Sequence, residues 1–211
     1  MSKKMIPFTA ERAFKLLDKG TIRRQHQVQT EKKEREASGY VPMEHRRDLT
    51  KGQNPFAVIF GCSDSRFPPE LVFRNREGDI FVIRTAGHVI SDDALGSIEY
   101  AVEHLKVPLI VVMGHEKCEA VTAAVVGGEV SGHLGSIVQK IQPAIEKIKS
   151  KGDISITDAV NANVIETVAM LKSNEPILKE LVDKGRLKII GARCELETHK
   201  VTWFERLDPD S

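Results

Sequence analysis

The chain has 211 residues, of which 41% are hydrophobic and 29% charged, a composition typical of a soluble globular protein large enough for one α/β domain. Lys plus Arg number 31 against 30 for Asp plus Glu, and this formal net charge of +1 gives no excess that would favour a nucleic acid or an anionic membrane as partner. The apolar runs are far shorter than the ~20 residues that span a bilayer. Three cysteines and the lack of an apolar export signal near Met1 favour thiols in a cytoplasmic protein over a disulfide scaffold.

Residues 1–52 are polar and rich in charge, and we predict that they form an N-terminal helical arm. Apolar residues within Phe8–Leu17 recur at the spacing of a short amphipathic helix. The mixed charges of Thr21–Arg47 indicate a solvated segment with too little apolar surface to fold alone. We therefore expect the arm to pack on a partner subunit, and we assign residues 53–211 to a single α/β domain.

The remainder of the chain alternates short apolar runs with segments of helical periodicity. Five runs are predicted as strands, the last at the sheet edge: Phe56–Gly61, Ile80–Ile83, Pro108–Met113, Leu187–Gly191 and Lys200–Glu205. Between them, apolar residues recur every three or four positions, which predicts helices. Strands that alternate with helices predict a mainly parallel β-sheet flanked by helices.

Residues that bind metals follow two of the predicted strands. The first strand ends in the segment 61–66 (GCSDSR), and the third ends in the segment 114–118 (GHEKC). Because ligands of open α/β sheets bind at the carboxyl ends of the strands, both segments reach the same edge. Together they offer two thiolates, an imidazole and a carboxylate: Cys62, Cys118, His115 and Asp64. This is a tetrahedral zinc set.

Other interpretations of these residues explain less. A nucleophilic Cys62 with His115 as its base would leave Cys118 and Asp64 without a role, whereas the metal interpretation uses all four. Cys194 has no ligand-type neighbours and is assigned to the core. The sequence contains no P-loop, dinucleotide-binding or nucleophile-elbow motif.

At these residues the sequence resembles the β-class carbonic anhydrases. The resemblance rests on the segments 62–66 (CSDSR) and 84–87 (RTAG) and on the G-H-x-x-C spacing of 114–118, and it is close from about residue 53 to 125. It implies one zinc ion per subunit, bound by Cys62, His115 and Cys118 with the fourth position open to water or occupied by Asp64.

The implied activity is the reversible hydration of carbon dioxide to bicarbonate and a proton by a zinc-bound hydroxide, which is the reaction of a carbonate dehydratase, a lyase. In this family Arg66 would hold Asp64 off the metal, so that water can take the vacated position. A zinc ion lowers the pKa of bound water toward ~7, and an apolar slot beside it suits carbon dioxide.

The resemblance also implies a substrate pocket and an oligomer. Gln53 would contact substrate, and Phe81, Ala86 and Tyr100 would line a small apolar pocket built across a dimer interface. A homodimer or a higher homo-oligomer is therefore implied.

The sequence departs from the usual family pattern at three positions. Asn is usual where Thr85 and His88 stand, and a small residue is usual where Glu119 adds a carboxylate next to the last ligand. Two alternatives stay open: a carbonyl sulfide or carbon disulfide hydrolase at the same zinc site, and a non-catalytic zinc-binding oligomer. The pair Asp64 and Arg66 argues against the second alternative, because a structural zinc site needs neither residue.

Overall fold

The computed structural model describes residues 8–30, 49–128, 130–149 and 152–207. Within these ranges the helices are α1 (Ala10–Thr30), α2 (Pro69–Phe73), α3 (Asp92–Glu103), α4 (Glu119–Val126), α5 (Leu134–Lys149), α6 (Ile156–Lys172) and α7 (Ile177–Asp183). The strands are β1 (Ala57–Cys62), β2 (Ile80–Thr85), β3 (Leu109–His115), β4 (Lys188–Cys194) and β5 (Val201–Trp203), and a 3₁₀ turn (Ala86–His88) follows β2. None of the described helices is both long enough and apolar enough to cross a membrane.

The strands form one sheet in the order β2-β1-β3-β4-β5. β1 pairs in parallel with β2 and with β3, β3 pairs in parallel with β4, and β5 runs antiparallel to β4. The mainly parallel sheet predicted from the sequence is confirmed. β1 and β3 are buried along their whole length, which explains why both read as continuous apolar runs. Because they are parallel neighbours, Cys62 and His115 end at the same edge of the sheet.

Helices cover both faces of the sheet. On one face, α1 and α2 pack over alternate residues of β1, β3 and β4. On the other face, α3, α6 and α7 bury the intervening residues of the same strands. A third apolar cluster lies at the carboxyl edge, where α4, α5 and α6 surround the two cysteines Cys62 and Cys118. The candidate metal ligands are therefore enclosed by the core rather than placed on an open loop.

The N-terminal helix differs from the prediction. It is longer than the predicted Phe8–Leu17 segment, and it buries Phe14 and Leu17 against the sheet of its own chain. The Phe14 ring lies 4.8 Å from that of Trp203, whose Nε1 donates to Asp18 Oδ1 at 2.9 Å. The segment predicted as an amphipathic helix therefore packs on the sheet of its own chain. The expectation of too little apolar surface concerns Thr21–Arg47, and it stays a prediction. Residues 31–48 of the predicted arm lie outside the described residues, and packing of the arm on a partner subunit stays a prediction.

Helix α6 approaches the end of β3 unusually closely. A Cβ atom at Gly114 would lie 2.7 Å from Val164 Cγ2 and 2.9 Å from Val160 Cγ1, so only glycine admits the helix at this distance. Gly114 immediately precedes His115, and Asn163 lies on the same buried side of α6. The close contact therefore brings a polar side chain of α6 to the edge where the metal ligands stand.

Candidate metal centre and active site

Three of the predicted ligands converge at the carboxyl edge of the sheet. Cys62 ends β1, His115 ends β3, and Cys118 precedes the first residue of α4. All three are buried, and their donor atoms lie within 4.8 Å of one another. The two sulfur atoms are 3.9 Å apart, close to the roughly 3.8 Å that a tetrahedral zinc site with Zn–S bonds of ~2.3 Å requires. The geometry of this donor set fits a zinc ion.

The imidazole of His115 is oriented for metal binding. Its Nδ1 lies 2.8 Å from the carbonyl oxygen of Glu116, a contact that places the ring proton on Nδ1. The Nε2 atom is buried and has no hydrogen-bond partner among the described residues. The Phe67 ring stacks on the imidazole with centroids 5.8 Å apart. The lone pair of Nε2 is thus left for a metal, which would satisfy an otherwise costly buried acceptor.

The two thiols lie close enough to influence each other's pKa. Their mutual contact is the main reason why the pKa of Cys62 is lowered and the pKa of Cys118 is raised. Burial is the largest influence on His115 and lowers its pKa, but the proximity and the charge of Cys62 outweigh burial, so that the pKa is raised overall. A metal binds both sulfurs as thiolates and the imidazole as a neutral ring, so metal binding at this site competes with protons.

Asp64 stands beside the three donors but is bound by Arg66. The Arg66 guanidinium donates from Nε to Oδ1 at 2.9 Å and from Nη2 to Oδ2 at 2.6 Å, and the backbone N–H of Arg66 also donates to Oδ1 at 2.9 Å. The hydrogen bond from the Arg66 side chain is the main reason why the pKa of Asp64 falls to about 2. Oδ2 lies 3.8 Å from Nε2 of His115. The predicted pair of Asp64 and Arg66 is present, and a place for Asp64 in the metal shell stays a prediction.

Arg84 fixes the loop that carries Cys62 and Asp64. Its Nε donates to the carbonyl oxygen of Cys62 at 2.8 Å, and its Nη2 donates to those of Asp64 at 2.5 Å and Phe67 at 3.2 Å. Arg84 belongs to one of the segments that carry the family resemblance, but no role was predicted for it. One feature of the sequence could have revealed this role: Arg84 directly follows an apolar predicted strand. A half-buried charged side chain in that place needs hydrogen-bond partners.

A cavity of about 450 Å³ opens beside Cys62. Its wall includes the 63–66 segment, Ala86, Glu119 and Ala120. Ala86, one of the predicted pocket residues, is part of this wall, and its contact with substrate stays a prediction. Glu119, the first residue of α4, presents an exposed side chain to the same cavity.

The other three predicted substrate contacts are not brought to this cavity by one chain. Gln53 is exposed before β1, and Tyr100 is 47% exposed on α3. The rings of Phe81 and Tyr100 pack with centroids 6.3 Å apart. Phe81 pairs with Val58, four residues before Cys62, so it lies toward the opposite end of the sheet. A contact of these residues with substrate stays a prediction, and it requires a second subunit.

The remaining cysteine and two of the sequence departures are part of the packing. Cys194 is fully buried, and its thiol donates to the carbonyl oxygen of Glu195 at 3.4 Å, which agrees with the assignment to the core. Burial raises the pKa of Cys194 to about 12. The Thr85 hydroxyl donates to the carbonyl oxygen of Val89 at 2.8 Å, and His88 is buried against Asn163.

Comparison with known proteins decides the family. Residues 57–201 match the family model described as carbonic anhydrase. The chain belongs to the carbonic anhydrase family. It is similar to carbonic anhydrase 2 of Mycobacterium tuberculosis, with 42% identity over 159 residues that cover 74% of this chain and 77% of the relative. It is also similar to a carbonic anhydrase of Mycolicibacterium smegmatis, with 45% identity over 169 residues that cover 74% and 82%.

Solved structures place the carbonic anhydrase fold of this chain in the β class. A tetrameric β-carbonic anhydrase from Sordaria macrospora superposes with a TM-score of 0.72 at 26% identity, over 77% of this chain and 86% of that one. A Coccomyxa β-carbonic anhydrase in complex with acetazolamide superposes with a TM-score of 0.71 at 27% identity, over 77% of each chain. The chain is an enzyme of this class, whose general reaction is the hydration of carbon dioxide.

Proposed function

We propose that this carbonic anhydrase catalyses the reversible hydration of carbon dioxide with one zinc ion per subunit, held by Cys62, His115 and Cys118. The observation that carries the proposal is the carboxylate of Asp64, which is bound by two side-chain contacts from Arg66 while its Oδ2 lies 3.8 Å from Nε2 of His115. A structural zinc site is closed by four protein ligands, whereas a catalytic site keeps one position open. A fourth protein donor held back by a cation is the arrangement of an open site.

The roles of the protein groups follow from their charges. Zinc bound by the three donors would supply the Lewis acidity that brings the pKa of a water molecule toward ~7. Arg66 binds the Asp64 carboxylate and would keep it off the metal. With a pKa of about 2, Asp64 is ionised at neutral pH and can accept a hydrogen bond from the nucleophilic water. Its role is to orient this water, because a carboxylate with so low a pKa is a poor general base. The proton of the reaction leaves by way of solvent in the cavity.

The substrate is proposed to bind between subunits. Carbon dioxide is apolar, and Ala86 and Ala120 supply an apolar wall beside Cys62. Gln53, Phe81 and Tyr100 are the proposed further contacts, and each would reach the substrate from a second copy of the chain. The similar β-carbonic anhydrase of Sordaria macrospora is tetrameric, which supports a homodimer or a larger homo-oligomer for this chain.

The activity is tested by assaying zinc-replete protein for hydration of carbon dioxide in a stopped-flow instrument with a pH indicator. Hydrolysis of carbonyl sulfide is measured in parallel by the release of hydrogen sulfide. We expect hydration to dominate. Hydrolysis of carbonyl sulfide without hydration would replace the proposal with the first alternative, and a zinc-loaded protein that does neither would support a non-catalytic zinc oligomer.

The shared pocket is tested by mixing subunits. We expect the homo-oligomers of Arg66→Ala and of Tyr100→Ala each to be impaired. In a twofold dimer with one copy of each variant, one site regains both wild-type residues, so random mixing restores roughly a quarter of all sites. No gain on mixing, or a Tyr100→Ala protein with unchanged kcat/KM, would contradict the shared pocket.

A further inference from the structure

The side chain of Asn163 on α6 contacts the turn that follows β2. Asn163 is 4% exposed. Its Nδ2 donates to the carbonyl oxygen of Gly87 at 2.9 Å and lies 2.9 Å from Nε2 of His88. Because an amide nitrogen offers two hydrogens and no lone pair, His88 Nε2 must be the acceptor. Both donor hydrogens of Asn163 are therefore committed to two successive residues of one turn.

The backbone of this turn is held in an unfavourable conformation. Gly87 has a φ of 61° and His88 a φ of 45°, so a bulky residue adopts the left-handed region directly after a glycine. A Cβ atom at Gly87 would lie 2.8 Å from Ile141 Cδ1 of α5, so the turn also fits tightly against its neighbours. Such a conformation persists only where the surrounding structure determines it, and Asn163 supplies two of the bonds that do so.

The turn presents a donor to one of the metal ligands. The backbone N–H of Gly87 donates to Sγ of Cys62, with 3.3 Å between nitrogen and sulfur. A hydrogen bond to a thiolate withdraws charge from the sulfur and weakens its donation to a metal. Two thiolate ligands reduce the Lewis acidity of a zinc ion, so a donor aimed at one of them restores part of it.

The imidazole of His88 fits an anchoring role. The ring is 1% exposed, and its Nδ1 has no hydrogen-bond partner within the described parts of the chain. An unsatisfied buried donor is costly, and an apolar side chain would avoid that cost. The feature that an apolar side chain could not supply is the Nε2 acceptor for Asn163.

We propose that Asn163 is a positioning residue that acts through Gly87, aiming the Gly87 N–H at the Cys62 sulfur and so setting how strongly this thiolate donates to the bound metal. The inference rests on the proposed zinc site of Cys62, His115 and Cys118. Among the described residues, the hydrogen bonds of Asn163 go to Gly87 and His88, and Asn163 is not part of the cavity wall.

The test compares Asn163→Leu, which keeps the branched shape of the side chain and removes both donors, with Thr167→Val. Thr167 lies one helical turn further along the buried side of α6 and is 5% exposed, so its variant is a matched control for packing. Each protein is loaded with Co²⁺, and the sulfur-to-cobalt charge-transfer absorption is recorded. Zinc affinity is measured in parallel by competition with a chelator, and Asn163→Ser, which keeps one donor, serves if the leucine variant does not fold.

We expect the charge-transfer band of Asn163→Leu to move to longer wavelength, because a thiolate that loses its hydrogen bond is easier to oxidise. Zinc affinity should rise, because a thiolate that has lost this hydrogen bond donates more strongly to the metal. Thr167→Val should keep both properties. An unshifted band with unchanged zinc affinity in Asn163→Leu or Asn163→Ser would overturn the inference, and so would an equal shift in Thr167→Val. A wild type that binds Co²⁺ but does not hydrate carbon dioxide would refute the proposed function alone, and the band comparison would still decide the role of Asn163.

Discussion

Replacing Arg66 by alanine removes the group that holds Asp64 away from the metal ligands. The variant loses the side-chain hydrogen bonds from Nε and Nη2, and it keeps the backbone N–H bond of residue 66 to Oδ1. Because the Arg66 side chain is 47% exposed, the pair contributes no more than the ~1 kcal/mol of a surface ion pair. Since each 1.4 kcal/mol is a tenfold change in an equilibrium constant, the equilibrium between Asp64 bound by Arg66 and Asp64 bound to the metal should shift toward the metal by about five-fold.

The assay is stopped-flow hydration of carbon dioxide by Arg66→Ala, with the zinc content measured on the same sample. We expect kcat/KM to fall by up to about five-fold with zinc fully retained, following the shift of Asp64 toward the metal. Unfolding free energy should change by only ~0–1 kcal/mol, because the pair is partly exposed. Arg76→Ala is the matched control, since it breaks an exposed pair with Asp79 (3.7 Å) and should be fully active. Near wild-type turnover in Arg66→Ala, or a variant that has simply lost its zinc, would refute the reasoning.

Three further predictions concern single groups of the site. Cys118→Ala should lose most of its zinc after dialysis. It should also unfold at a lower temperature than the wild type, because metal-binding energy is also folding energy. Full zinc retention in a metal analysis would contradict the ligand assignment. The pKa of Asp64 is lowered to about 2 from an unfolded value of ~3.9, so the stability that this pair contributes is complete above pH ~4 and is lost as the pH falls toward 2. The difference in unfolding free energy between wild type and Arg66→Ala should therefore stay constant from about pH 5 to 8 and disappear in acid. A difference that grows in acid would mean that folding raises the pKa of Asp64, and it would contradict the prediction. Glu119→Gln should bind thiocyanate about five-fold more tightly at low ionic strength, because a negative charge on the cavity wall repels anions, and the gain should shrink at high salt. Glu103→Gln, an exposed change on α3, is its control, and equal thiocyanate affinity in all three proteins would exclude this effect.

The central strands and the convergence of the candidate metal ligands could be predicted from the same local pattern. Continuous apolar runs predict buried parallel strands, and parallel neighbours bring the residues at their ends together. Cys62 and His115 therefore met at one edge as expected. The strand ends were less predictable, since the ladder continues into polar residues: Cys62 pairs with Thr85, and His115 pairs with Cys194.

Contacts between distant parts of the chain could not be predicted from local patterns. Phe14 packs on Trp203, and no local sequence pattern predicts a contact between residues so far apart in the chain. Asn163 carries no motif, and its role depends on the close approach of α6 to Gly114. Gln53 and Tyr100 were predicted from the resemblance, whose pocket spans two subunits, so one chain does not bring them to the cavity.

The most direct test of the proposed zinc enzyme is carbon dioxide hydration by the dialysed wild-type protein, with its zinc content determined on the same sample. We predict about one zinc per chain and a hydration rate that scales with zinc occupancy, since the metal supplies the chemistry and the three donors hold it. Hydration that persists after the zinc has been removed, or full zinc occupancy without hydration, would contradict this prediction.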